Sequence, residues 1–267
     1  MKKKVLITGA TGFIGSHLAE ACVKKGYKVL AYDRYNPNYN LGNLANSKYK
    51  KEIEFIFGDI RDFDSVNKAV QKSNIVLHLA ALIGIPYSYH SPLAYIRTNI
   101  EGTYNILESI KNNNIDQTII TSTSETYGTA VKVPIDENHR LIGQSPYAAS
   151  KIGADQLAIS YNRSFNLPIK IIRPFNTYGP RQSARAIIPT IVTQTLSDSK
   201  TIKLGNLKSS RDFTYVSDTC NAYFAILKMK KNYGIPINVG SKNEIKIEQI
   251  AKKIFSYLKI RKKIIIT

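Results

Sequence analysis

Seven residues near the start of the chain, Gly9-Ala10-Thr11-Gly12-Phe13-Ile14-Gly15, restrict its fold more than any other stretch. They follow the apolar run Val5–Thr8 and open a segment with helical periodicity. A glycine at every third position lets the backbone turn sharply from strand into helix. It also leaves room for a ligand at the helix start, where free N–H groups and the positive end of the dipole favour an anion. The spacing is G-x-x-G-x-x-G rather than the commoner G-x-G-x-x-G. It predicts a strand–turn–helix that cradles the pyrophosphate of a dinucleotide, with Gly9, Gly12, Phe13, Ile14 and Gly15 as cofactor contacts.

The pattern then repeats. Lys28–Tyr32, Ile53–Phe57, Ile75–Leu79, Gln117–Thr121 and Pro168–Ile172 are short apolar runs, as expected of parallel strands covered on both faces. Amphipathic stretches near 12–25, 62–72, 92–112 and 146–165 separate them, with Asp62 and Ser91 as expected helix caps and Pro92 at a first helical position. Strands alternating with helices predict an α/β fold, a doubly wound parallel sheet of the Rossmann type. After Arg173 the pattern changes. Loops rich in Pro and Gly precede a helix near 185–197, short strands near 201–204 and 211–215, and a helix near 217–230. This predicts a cofactor domain over 1–172 and a smaller substrate lobe over 173–267. The long connection 129–145 is expected to be functional.

The ends of the remaining strands supply the rest of a cofactor site. Asp33 closes the second strand, 24 residues after Gly9. A carboxylate there accepts hydrogen bonds from a ribose 2′-OH and repels a 2′-phosphate, which favours NAD over NADP, with adjacent Arg34 acting against that preference. Asp59, followed by Ile60, ends the third strand and is expected beside the adenine. Leu79, Ala80 and Ala81 end the fourth, where small residues let the backbone pass close to the cofactor. His78 is expected to pack. His17, His90 and His139 show no metal-ligand spacing, and no metal site is expected.

Tyr147 and Lys151 are four residues apart on an expected helix and so share a face. A free phenol, with a pKa of ~10, is a poor base at neutral pH. An ammonium one turn away is expected to lower that value, and the lysine can also hold a cofactor ribose. Upstream, at the end of the fifth strand, stands Thr121-Ser122-Thr123-Ser124-Glu125-Thr126-Tyr127-Gly128. Ligands of doubly wound sheets bind at such strand ends. A hydroxyl there can bond the substrate oxygen that Tyr147 deprotonates.

The glycine turn, the strand-end hydroxyl cluster and Y-x-x-x-K together resemble the extended short-chain dehydrogenase/reductase family over nearly the whole chain. Arg173-Pro174-Phe175-Asn176-Thr177-Tyr178-Gly179-Pro180 and Arg211-Asp212-Phe213-Thr214-Tyr215-Val216 resemble its nucleotide-sugar members. Thr123-Ser124-Glu125 is similar to the triplet of 4,6-dehydratases. The runs 143–155 and 173–185 are most similar to dehydratases of legionaminic-acid-type pathways, which act on a nucleotide-linked N-acetylglucosamine. The resemblance implies an NAD-dependent lyase. Tyr147, assisted by Thr123, takes the proton of the sugar C4 hydroxyl as hydride leaves C4. Glu125 removes the C5 proton, Ser124 or Glu125 helps water leave from C6, and hydride returns to C6. Asn176 and Arg211 are implied at the substrate diphosphate. Arg181 is a further candidate there, since its fork suits phosphate oxygens. Tyr87 and Ser88 are candidates at the sugar. A homodimer through the helices near 92–112 and 146–165 is also implied.

Other readings stay open: a 4-epimerase, a UDP-glucuronate decarboxylase (also similar in carrying Thr-Ser-Glu), or a catalytically inactive NAD-binding protein. The last draws on the C-terminus. The chain stops at Ile264-Ile265-Ile266-Thr267, earlier than the family usually does, so the final strand is expected to lack its partners and the lobe to be shortened. The net charge is +19, but the lysines are scattered, with small basic clusters at 2–4, 228–231 and 261–263. No helix is striped with arginine, so a nucleic-acid partner is not expected. No apolar run reaches the ~20 residues that span a bilayer, and the N-terminus has no signal-peptide core. A cytoplasmic location is expected. Cys22 and Cys220, distant in sequence, are expected as reduced thiols within packed helices.

Overall fold

A parallel sheet of seven strands forms the centre of the first of two units in this computed structural model, which describes residues 2–266. The first unit takes the chain up to residue 174 and residues 217–239. Its strands are β1 (Lys4–Thr8), β2 (Lys28–Arg34), β3 (Ile53–Gly58), β4 (Ile75–His78), β5 (Gln117–Thr121) and β6 (Ile169–Pro174), with a seventh from 236–239. The spatial order runs β3-β2-β1-β4-β5-β6 and then the seventh strand. In-register pairs such as Leu6 with Leu30 and Leu6 with Val76 align the strands. The order reverses between β1 and β4. Ligands bind beyond the carboxyl ends of strands at such a switch point.

The helices of this unit are α1 (Phe13–Lys24), α2 (Phe63–Gln71), α3 (Ile85–His90), α4 (Pro92–Tyr95), α5 (Gly102–Lys111) and α6 (Pro146–Phe165). Strand residues Leu6, Leu30, Val76, Ile120 and Ile171 pack with Val66 and Val70 of α2 and Ile106, Leu107 and Ile110 of α5. Each buried aliphatic side chain of this kind contributes roughly 1.5–3 kcal/mol. Asp62 caps α2, accepting from the backbone N–H groups of Asp64 and Ser65. Ser91, the other expected cap, makes no side-chain cap bond. The helix expected over 92–112 is interrupted by a π-helical turn, Ile96–Glu101. There the Thr103 hydroxyl donates to the Asn99 carbonyl, and the Asn99 side chain serves a neighbouring loop. Such turns gather at functional sites.

One division of the chain differs from the sequence pattern, which places everything after 172 in the second lobe. Residues 217–239 return to the first unit. The second unit's own helix is α7 (Ile187–Leu196), and the returning helix is α8 (Val216–Lys228). Two buried polar groups hold it. Tyr223 and Thr121 share a hydroxyl hydrogen bond of 2.7 Å. The Lys170 ammonium donates to the carbonyls of Ile226 and Met229 at the end of α8 and to Gln117. The returning strand, Pro236–Val239, pairs parallel with β6. It is short and only half buried, so it lacks the long apolar run that marks the other six. Packing α8 beside α1 also brings Cys22 and Cys220 together. Burial pushes both thiols up to about 12, and for Cys22 the nearby Cys220 adds to this.

The second unit comprises 175–216 and the chain from 240 onward. Its strands are β7 (Asn176–Tyr178), β8 (Thr201–Leu204) and β9 (Ser210–Tyr215). The returning strand of the first unit is β10 (Pro236–Val239), and β11 (Glu244–Lys246), α9 (Ile247–Leu258) and β12 (Lys263–Ile266) follow in the second. β9 pairs parallel with β7 and antiparallel with β11. Ile191, Ile202, Leu204, Ile247, Ile250 and Ala251 form its core, with Ile264 packed against them. The expectation that the last strand lacks partners is corrected here. β12 pairs parallel with β8, from Lys263 opposite Thr201 to Ile266 opposite Leu204. Thr267 lies outside the described residues. Among the described residues, no helix is long and apolar enough to cross a membrane.

Candidate active site

The glycine turn is packed so closely that side chains are excluded. Gly9 has φ +69°, and a Cβ there would sit 2.9 Å from the Ala80 nitrogen; a Cβ on Gly15 would lie 2.1 Å from the Gly9 carbonyl oxygen. Gly12 occupies the cap position of α1 with no side-chain bond to the helix start, and no acidic residue lies in the first turn. The N–H groups there point outward without an intrahelical partner, as a helix start requires. The turn is tied to β2 by Thr11, whose N–H and hydroxyl both donate to Asp33 Oδ2, at 2.8 and 2.6 Å. Asn43 closes over the turn and donates to the Thr11 carbonyl from its backbone and its side chain. Neither Thr11 nor Asn43 stands out in the sequence, because each is recognised only by its distant partner. An anion-binding helix start beside a strand-end carboxylate fits a pyrophosphate and its ribose.

Asp59 lies at the end of β3, but its carboxylate is gripped by the Arg61 fork at 2.9 and 2.5 Å. Those bonds hold its pKa down at about 2. Ile60 is buried in the core, with its carbonyl accepting from Asn105. Leu79 and Ala80 both donate their N–H groups to the Thr8 hydroxyl, each at 3.1 Å. Thr8 in turn meets His78 Nδ1 at 2.8 Å, and His78 Nε2 meets the Thr103 hydroxyl at 3.2 Å. The Thr103 hydrogen is already given to Asn99. His78 therefore carries its proton on Nε2 and accepts from Thr8 at Nδ1. Burial, reinforced by the Lys151 charge, lowers the His78 pKa to about 3, so the ring is neutral. As the sequence implies, His78 packs. Its bonds also shape the 79–81 backbone. Asn99 continues this chain to Leu82 and to the Ser150 hydroxyl on α6.

Tyr147 stands in the first turn of α6, which Ser145 caps by accepting from the Ala148 N–H. The connection 129–145 lies against this helix because Gly143 has no Cβ: one would fall 3.0 Å from Ala149 Cα. The Tyr147 ring packs edge-on against Tyr95, which packs against Tyr87. Thr123 caps a short 3-10 turn, Ser124–Tyr127, by accepting from the Glu125 N–H. Thr123, Ser124 and Glu125 are half buried. Lys151 is buried and donates to the Thr121 carbonyl at 2.6 Å. The expected lowering of the Tyr147 pKa is not what this environment produces. Burial pushes the phenol up to about 12, with Glu125, Asp155 and Tyr95 adding to the rise and only the hydrogen bond with Thr123 opposing it. Desolvation outweighs a lysine whose ammonium is turned to a backbone carbonyl. The site thus brings together Thr123, Glu125, Tyr147 and Lys151. Sequence reasoning missed Ser122, Asp155 and Arg173 beneath them.

Ser88 does not join this set. It is fully buried, and its hydroxyl is spent on the Ile85 carbonyl within α3. In the second unit, Asn176 opens β7, and Arg181 follows Gly179 in a turn with φ +70°. Arg211 is exposed on β9 and donates to the Ser210 carbonyl. Neighbouring Asp212 accepts from Ser241 and Lys242, which orders the turn into β11.

The family model described as GDP-mannose 4,6 dehydratase matches residues 6–265. A dTDP-D-glucose 4,6-dehydratase of Dictyostelium discoideum is 35% identical over 95% of this chain, which spans 62% of that protein's length. A UDP-N-acetyl-alpha-D-glucosaminuronate decarboxylase of Bacillus cytotoxicus is 36% identical over 95% of this chain and 80% of its own. Among solved structures, the UDP-glucuronic acid 4-epimerase of Bacillus cereus, in complex with UDP-glucuronic acid and NAD, superposes with a TM-score of 0.90. It is 33% identical and covers 98% of this chain and 85% of its own.

Proposed function

Because this chain belongs to the GDP-mannose 4,6 dehydratase family, the nucleotide-sugar dehydratases and epimerases of the extended short-chain dehydrogenase/reductase group, we propose that it is an NAD-dependent 4,6-dehydratase of a nucleotide-linked hexose. The observation that carries this reading is Glu125, a half-buried carboxylate whose charge reaches the Tyr147 phenol. Epimerisation at C4 needs one acid/base group. Loss of water across C5 and C6 needs a second, and Glu125 is available for it.

NAD fits the residues present. Gly9 and Gly15 let the turn close tightly, since a Cβ at either would meet backbone within 3 Å, the start of α1 suits the pyrophosphate, and Asp33 suits a ribose diol. Phe13 and Ile14 would contribute N–H groups, Leu79, Ala80 and Ala81 a close backbone, and Lys151 an ammonium at the second ribose. NAD supplies an acceptor for hydride and later its donor. The chain's own groups handle the protons. Tyr147 in its ionised form, which the hydrogen bond with Thr123 favours, accepts the proton of the sugar C4 hydroxyl, and Thr123 steadies that oxygen. The resulting 4-ketone acidifies C5, and Glu125 removes its proton. Ser124 or Glu125 then helps the C6 hydroxyl leave as water, and once hydride has returned to C6 a proton is returned to C5, completing the 4-keto-6-deoxy sugar. Asn176, Arg181 and Arg211 are proposed at the diphosphate, and Tyr87 beside the sugar. The substrate is a GDP- or UDP-linked N-acetylglucosamine. Leu93, Ile96 and Tyr104, exposed on 92–111, support a homodimer, and two buried free thiols are in keeping with a cytoplasmic location.

Decarboxylation is the second reading, favoured by the 36% identity with the Bacillus cytotoxicus decarboxylase. Incubation with GDP- and UDP-linked N-acetylglucosamine, dTDP-glucose and a UDP-hexuronate, followed by mass spectrometry, separates the two. The dehydratase reading expects a product lighter by one water from an uncharged hexose. A product lighter by CO₂ from the hexuronate, with the hexoses untouched, overturns it.

A further inference from the structure

The helix that presents Tyr147 carries two more buried ionisable groups in register with it, Lys151 and Asp155, at successive intervals of four residues. Such residues share one face, and this face grips the end of β5 at two consecutive positions. Lys151 Nζ donates to the Thr121 carbonyl at 2.6 Å, and the Ser122 hydroxyl donates to Asp155 Oδ2 at 2.7 Å. The next three residues are Thr123, Ser124 and Glu125. From β6, Arg173 donates Nε and Nη2 to the same Asp155 oxygen, at 3.1 and 2.9 Å, and Nη1 to the Tyr127 hydroxyl. Asp155 is fully buried, and its Oδ1 has no hydrogen-bond partner among the described residues.

The charges around this carboxylate are unequal. Lys151 and Arg173 are cations, and Asp155 is the only fully buried carboxylate among the described residues. The other titratable groups nearby are His78 of β4, Tyr147 of α6, Glu125 and Tyr127 of the turn after β5, and Tyr223 of α8. His78 is neutral, and burial raises the pKa of all three phenols. A buried ammonium without a counter-charge sheds its proton.

We propose that Asp155 is a positioning residue for the site: through Ser122 it fixes the strand end that presents Thr123 to Glu125, and as buried counter-charge it keeps Lys151 an ammonium. This rests on the reading of Tyr147 and Lys151 as the working pair. In support, burial pulls the Lys151 pKa below the usual lysine range and the Asp155 charge opposes that pull.

The test is NMR titration of protein labelled with ¹³C at lysine Cε, with the Lys151 signal identified by its loss in K151R. In D155N the Lys151 midpoint is expected to fall by about one pH unit or more. In S122A, which keeps the charge, the midpoint stays in place, while kcat for the nucleotide sugar that the incubation identifies falls about tenfold with KM little changed. An unmoved Lys151 midpoint in D155N overturns the counter-charge role, and wild-type kcat in S122A overturns the strand role. Should D155N not fold, R173Q tests the same charge with opposite sign. It keeps the carboxylate and removes the competing cation, so the midpoint rises; an unchanged or lower value overturns the proposal. The titration needs no substrate. Absence of turnover with every nucleotide sugar would therefore sink the dehydratase reading while leaving the Lys151 result standing.

Discussion

Thr11 spends both its backbone N–H and its hydroxyl on a single oxygen of Asp33. The glycine turn and the end of β2 are thereby locked together, and the other carboxylate oxygen accepts from the Arg34 N–H. A hydrogen bond to a charged group contributes about 1.5–3 kcal/mol. D33A is therefore expected to weaken NAD⁺ binding by roughly ten- to a hundredfold, and T11A by less, since the carboxylate remains. Isothermal calorimetry checks this. Unchanged affinity in D33A would show that the carboxylate does not meet the cofactor.

Gly15 faces the Gly9 carbonyl so closely that a methyl group cannot be placed without moving the turn. G15A is expected to cost about 1–3 kcal/mol in stability, the usual result of overpacking, and to lower NAD⁺ affinity as well. Urea denaturation and calorimetry read the two effects. Gly26 makes the contrast: a Cβ there meets nothing within 4 Å. G26A, strained only by its φ of +84°, is expected to leave NAD⁺ affinity at the wild-type value.

His78 makes stability depend on pH. Its folded pKa is about 3, below the 6.5 of an exposed ring. Below pH 6.5 the unfolded chain therefore takes up a proton that the folded chain refuses. The contribution is complete above pH 6.5 and is lost as pH falls toward 3. At pH 5 the loss amounts to about 2 kcal/mol relative to pH 7. H78Q, which cannot titrate, is expected to be less stable at pH 7 and to show a flatter dependence between pH 7 and 5. Chemical denaturation at a series of pH values measures the slope; equal slopes in the two proteins would refute the assignment.

On the proposed reading, dehydration depends on Glu125. E125Q keeps the shape of the side chain but cannot accept a proton. Formation of the 6-deoxy product is expected to fall by about 10²–10⁴-fold, while NAD⁺ affinity stays within twofold or so of wild type. Product-forming turnover at the normal rate in E125Q would remove Glu125 from the mechanism.

Much of this fold is legible as local pattern. Six of the seven sheet strands are apolar runs between helical stretches, and periodicity reports these because a strand covered on both faces must be apolar throughout. The glycine turn is legible because its restriction is steric and confined to seven residues. Tyr147 and Lys151 are legible because four residues on a helix fix their common face. That pair alone predicts a fall in the phenol's pKa, but the structure raises it, because burial depends on everything packed around the ring.

The rest depends on partners far apart along the chain. Thr11 finds Asp33, His78 finds Thr8 and Thr103, and Asp155 finds Ser122 and Arg173. β12 finds β8, and residues 217–239 return to the first unit. Period and spacing describe which neighbours a residue has on its own helix or strand. They carry no information about which of many distant polar groups will be close enough, once the sheet has formed, to satisfy a buried donor or balance a buried charge.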